Sequence, residues 1–233
     1  MLSLCFLQLA YSLPTSRKIL TFSGTISKYP IKMVLVIEKE NVYGYYFYEK
    51  IKTKILLTGT MKGTKMILDE SPSYEENTSD NREFDFHLGF KGELKDNKFL
   101  GYWIDNINGK KLTLNLKADT ENYLNLIEQT SSIDGYYNNI RNSDRFSGSI
   151  SLNYINENLF YFETYSTTES GCLGYLNGLI NINNFKSGIF SSEFCQKLNL
   201  NFNINTLEVR EENCQEHGAR CSFDGNFKKM LTK

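Results

Sequence analysis

Apolar and polar residues alternate with a period of two along most of the chain. The pattern is cleanest where Leu198, Leu200, Phe202 and Ile204 interleave with Lys197, Asn199, Asn201 and Asn203. Such alternation predicts a β-strand with one buried and one wet face. Runs of this kind at 29–38, 41–48, 54–61, 65–69, 84–90, 98–105 and 111–117 are separated by turn signals. A polar stretch at 71–82 interrupts them. So many short strands in about a hundred residues predict a closed or nearly closed antiparallel barrel, since closure removes exposed edges. From Asp119 to Ser132 the pattern changes, and Glu121, Leu124, Ile127 and Glu128 fit a short helix capped by Asp119 or Thr120. A second β region follows, with runs at 146–152, 159–165, 174–180, 187–190, 197–203, 206–210 and 222–227. The expected fold is all-β: two small antiparallel barrel or meander domains, 19–118 and 133–233, joined by a short helical or irregular linker at 119–132.

Composition agrees. Fifteen Tyr and sixteen Phe lift the aromatics to 14%, and aromatic side chains suit a pleated, half-buried surface. Lys and Arg number 26 against 27 Asp and Glu, a formal net charge of -1. That balance lacks the basic footprint of nucleic-acid or anionic-membrane binding.

The first eighteen residues are read as a signal peptide or disordered N-terminus. Leu2 to Leu13 is apolar but shorter than the roughly 18 residues that span a bilayer, and Ala10-Tyr11-Ser12 has the small-x-small form of a signal-peptidase site. Cleavage would remove Cys5 and leave Cys172, Cys195, Cys214 and Cys221. Four cysteines in one segment of an exported chain predict two disulfides rather than a zinc site, because no C-x2-C pair is present. A hairpin turning near Asn183-Asn184 sets Cys172 opposite Cys195 and leaves Cys214 and Cys221 to close a tight loop. A turn near Asn205 would instead bring Cys195 towards Cys214, so the connectivity stays open.

Candidate chemistry is sparse. His87 falls on the polar face of its strand beside Glu83 and Asp85, and His217 lies between Cys214 and Cys221. No G-x-S-x-G and no glycine-rich phosphate loop occurs. The expectation is a protein that is not an enzyme and carries no metal or cofactor. The densest aromatic feature runs from Tyr43 to Tyr48. On a strand Tyr46 and Tyr48 share one face, with Tyr43, Tyr45 and Phe47 on the other. Aromatic rings with polar tips suit core packing and also ligand contact, and Tyr46, Tyr48 and Trp103 are the candidate ligand-binding residues, with Trp103 sealing one barrel end.

The segments Gly24 to Met33, Tyr43 to Tyr48, Leu57-Thr58-Gly59, Ile67 to Glu70, Phe90-Lys91-Gly92 and Gly101-Tyr102-Trp103 resemble a small secreted domain of Gram-negative bacteria with a lipocalin-like barrel. The segments Gly171 to Gly174, Phe194-Cys195, Leu207 to Cys214 and Cys221 to Gly225 are similar to a cysteine-bearing periplasmic, lysozyme-inhibitor-like module. The resemblance implies a periplasmic or secreted binding protein, with inhibition of a cell-wall hydrolase such as lysozyme as its most concrete form and carriage of a small apolar or aromatic ligand as the alternative. In the first case His217 and Arg220 would face a protein partner.

Overall fold

The computed structural model describes residues 17–70, 88–123, 133–143, 146–218 and 221–230. Every regular element among them is a β-strand. The first barrel comprises β1 (Lys18–Ile26), β2 (Tyr29–Glu38), β3 (Asn41–Tyr48), β4 (Ile55–Lys62), β5 (Lys65–Asp69), β6 (Leu88–Lys95), β7 (Lys98–Asp105) and β8 (Lys110–Tyr123). Each strand pairs antiparallel with the next, and β8 closes on β1. The second barrel repeats this up-and-down order with β9 (Gly135–Asn139), β10 (Phe146–Asn156), β11 (Leu159–Thr168), β12 (Leu173–Asn183), β13 (Ser187–Phe190), β14 (Cys195–Asn203), β15 (Thr206–Cys214) and β16 (Gly225–Lys229), closing β16 on β9.

Side chains fill both interiors. In the first, Leu20, Phe22, Met33, Leu35, Tyr46, Leu68, Phe90 and Phe99 pack together out of water. In the second, Ile150, Leu152, Phe160, Phe162, Leu198, Leu200, Leu207 and Phe227 do the same. The first barrel is tightly coiled. Gly92 and Gly101 face each other across β6 and β7; a Cβ on Gly101 would lie 2.2 Å from the Lys91 carbonyl oxygen and 2.5 Å from the Gly92 Cα.

Two expectations are corrected. The helix expected from Asp119 does not start there: β8 runs on to Tyr123, pairing Lys18 with Tyr123 after a register shift at Thr21/Phe22. Barrel closure accounts for this, because a shorter β8 would leave the first half of β1 with an unpaired edge. Residues 124–132 lie outside the described residues, as do residues 1–16 of the expected signal segment with Cys5, the polar stretch at 71–82, and His87, whereas Arg17 and Lys18, also placed in that segment, are ordered and Lys18 opens β1.

The second correction concerns the cysteines. Of the two pairings left open, the structure has the one that the turn near Asn205 allows, Cys195–Cys214, together with Cys172–Cys221, and not Cys172 with Cys195. The turn at Asn183-Asn184 is as expected, with Asn184 and Phe185 at positive φ. However, β13 stops at Phe190, and Cys195 opens the next strand instead of extending the hairpin. There it sits directly opposite Cys214. Two disulfides point to an oxidising, extracytoplasmic environment.

Candidate functional site

Three groups of residues come into question. The first lies at one end of barrel one, where the Tyr46 hydroxyl and the Trp103 indole N–H both donate to Glu70 Oε1, at 2.8 and 2.5 Å. Tyr48 stacks edge-on against Tyr46 at 5.7 Å. The structure thus brings Tyr46, Tyr48 and Trp103 together, around a carboxylate that the aromatic pattern did not reveal. Burial pushes the Glu70 carboxyl above its ordinary value, against the pull of the two hydrogen bonds. Tyr46 is itself buried in the barrel core.

The second group surrounds His217. Residues 215–218 do not form a tight loop closed on itself: they lie along the start of β12, with a bridge between Gly174 and His217 and the Cys172–Cys221 bond alongside. The His217 side chain is 12% exposed, so it is tucked in rather than presented at a tip. Its Nε2 meets Glu211 Oε1 at 3.0 Å and its Nδ1 meets the Gly218 carbonyl at 3.0 Å. Glu211 also accepts from the Ser222 hydroxyl and the Phe223 amide. Ser166 lies nearby, yet its hydroxyl is buried and unpaired and makes no bond to the imidazole. With both ring nitrogens engaged, His217 lacks the Ser–His contact that nucleophilic activation requires. Arg220 lies outside the described residues.

The third group is where the barrels meet, and the strand pattern foreshadowed it least. On β2 and β3 the outward residues Val34, Val36, Tyr43 and Tyr45 are buried, as are Ile155, Leu159 and Tyr161 of the second barrel. The Tyr43 and Tyr161 rings stack at 5.8 Å between centroids, 24° from parallel, and Asn156 donates to the Tyr45 hydroxyl at 3.2 Å. Arg17 ties the units together: Nε donates to Glu38 Oε2 at 2.9 Å, and one terminal nitrogen donates to both Asp134 oxygens at 2.7 Å. Burial opposes the Arg17 charge, but the Asp134 hydrogen bonds and the surrounding negative groups hold the guanidinium above its ordinary value.

Beside this junction a cleft of about 470 Å³ opens between the barrels. One wall carries Glu38, Asn41, Val42, Tyr43, Thr58, Thr60, Ile67 and Asp69, and the other Ser151, Asn153, Tyr161 and Glu163. Glu163 accepts hydrogen bonds from Tyr161 at 2.5 Å, Tyr175 at 3.3 Å and Ser151 at 3.5 Å. Burial, with the Glu163 charge adding to it, raises the Tyr161 hydroxyl well above the ordinary tyrosine value. Tyr175 is pushed up to about 12, again chiefly by burial. The Tyr43 hydroxyl is buried without a hydrogen-bond partner. Size and mixed lining fit a small-molecule or side-chain pocket. Among the described residues no three His, Cys, Asp or Glu side chains are grouped as a metal site would require, and no helix is long and apolar enough to cross a membrane.

Comparison of the chain with family models, curated proteins and solved structures finds no match to any of the three. Fold and site together define a protein of two up-and-down eight-stranded barrels with a polar, acidic cleft at their junction.

Proposed function

We propose that the chain is an exported, non-catalytic binding protein of the cell envelope that recognises its partner at the junction of its two barrels. A secretion signal within residues 1–18, periplasmic or secreted location, and membership of the lipocalin-like and lysozyme-inhibitor-like groups belong to the same proposal. The observation that carries it is the cleft, bounded by one wall from each barrel and held by the Arg17 bridges and the Tyr43–Tyr161 stack. The two disulfides support export, and the filled interiors support recognition at the surface over storage inside a barrel. Inhibition of a cell-wall hydrolase is the most concrete version.

The test is lysozyme activity with and without the purified protein, repeated with Thr60→Trp, which places an indole in the cleft mouth. Inhibition by the unaltered chain and its loss in the variant are the expected outcome. No inhibition of any lysozyme class removes the hydrolase version.

The convergence of Tyr46 and Trp103 on Glu70, with Tyr48 packed edge-on against Tyr46, favours a second reading, a carrier that holds a small aromatic or apolar ligand at that barrel end. Trp103 is the chain's single tryptophan, so its emission reports on that end directly. A saturable shift on titration with an apolar probe supports the carrier, and an unchanged spectrum removes it.

A further inference from the structure

We propose that the outer face of β6, β7 and β8 is a binding site for a segment of an acidic glycan whose successive sugars carry carboxylates; the site is separate from the junction cleft and does not rest on it. The chain's formal net charge of -1 conceals an uneven surface. Alternation turns Lys91 and Lys95 of β6, Lys98 of β7, and Lys111 and Lys117 of β8 outward, and all five are exposed. Register then sets Lys98 directly opposite Lys95 on one side and Lys117 on the other. Like charges facing each other across a ladder lower stability, and an anion laid along this row relieves the repulsion. Among the described residues none of the five lysines has a salt-bridge partner. Glu70 and Leu88, the described residues on either side of 71–87, lie at the other end of β6 from Lys95.

Independently of the charge, a shallow groove of about 500 Å³ opens on the same face. Its lining includes Lys95, Lys98, Leu100, Tyr102, Thr113 and Asn115, and Glu93 is its one carboxylate among the described residues. Leu100 and Tyr102 are 47% and 43% exposed, which leaves an apolar side chain and a ring open to water between the lysines. Lys111 Nζ stands 3.8 Å from the centroid of the Tyr102 ring, so a cation sits where the ring would meet a ligand. Each part of an acidic sugar has a counterpart here. The ammonium groups donate to its carboxylate, the exposed ring and Leu100 pack on its C–H face, and the Thr113 hydroxyl and Asn115 amide can exchange hydrogen bonds with its hydroxyls. The lysine row spans two inter-strand steps, about 10 Å, longer than one small anion and suited to charges repeated along a polymer. A bilayer would be met by protruding apolar side chains, whereas this face is concave and edged with amide and hydroxyl groups.

Calorimetric titration of the oxidised full chain at low ionic strength tests this. The probes are hexagalacturonate, its methyl ester, a hexaglutamate peptide and phosphatidylglycerol vesicles. Saturable binding of hexagalacturonate, weakened by added salt and absent with the methyl ester, is expected. Lys98→Gln and Tyr102→Ala should each weaken it about tenfold. Lys98→Gln should do so with an equal or higher melting temperature, since it removes a like-charge contact, whereas a merely structural lysine would lose stability and binding together. Thr60→Trp, in the junction cleft, should leave glycan binding intact, so this inference and the cleft reading fail separately. No binding of hexagalacturonate, equal binding of its ester, or unchanged affinity in both variants would overturn the proposal. Equal binding of hexaglutamate would reduce the face to a general anion surface, and binding of vesicles without hexagalacturonate would assign it to a membrane; either result also sinks the glycan.

Discussion

Arg17 holds a charge largely out of water, with 11% of its side chain exposed, because Glu38 and Asp134 meet it from two sides. Removing one member of such a group leaves the others buried and uncompensated, at a cost of about 3–5 kcal/mol. Arg17→Met is therefore expected to lower the urea-unfolding free energy by about that amount, and an unchanged midpoint would show the bridges to be incidental. None of this was legible from the sequence: Arg17 falls in the stretch read as a leader, and Asp134 is 117 positions away. Glu70 was equally hidden, although Tyr46, Tyr48 and Trp103 were legible as a group. Its folded pKa lies above the ordinary value of 4.5, chiefly through burial. Native protein then keeps a proton that the unfolded chain has already lost, so stability falls as pH rises through the window just above 4.5. Melting temperatures between acid and neutral pH should show Glu70→Gln gaining on the unaltered chain as pH rises, whereas parallel curves would place Glu70 in water.

At the scale of elements, the cysteines show how far periodicity carries. Alternation located the strands, and turn residues located both hairpin reversals, but strand length decided the pairing. The four-residue β13 ends before it can carry Cys195 back to Cys172. In the chain-entropy picture, the 49-residue separation of Cys172 and Cys221 is worth about 4 kcal/mol and the 19-residue separation of Cys195 and Cys214 about 3 kcal/mol. Paired Cys→Ser variants should therefore both lower the denaturation midpoint, with Cys172/Cys221 the more damaging. Peptide mapping under non-reducing conditions should recover only these two linkages. Recovery of Cys172–Cys195 would instead favour the simple hairpin. The strand pattern also held an unused signal: the run Met33-Val34-Leu35-Val36-Ile37 is apolar on both faces, the mark of a strand covered on both sides. One face fills the first barrel, and on the other Val34 and Val36 meet the second.

For the whole molecule, the two-barrel architecture was legible because each half repeats the same rhythm of strand and turn, whereas the junction depends on contacts between residues more than a hundred positions apart, such as Asn156 with Tyr45. The cleft exists only if those contacts hold in solution. Val36 is fully buried between the barrels, so Val36→Asp places a charge in an apolar contact and should uncouple the halves while leaving each barrel interior intact. Scanning calorimetry of the intact, oxidised chain tests this most directly. A single transition whose van't Hoff and calorimetric enthalpies agree, splitting into two in Val36→Asp, is expected of barrels locked at their junction. Two separate transitions already present in the unaltered chain would contradict it.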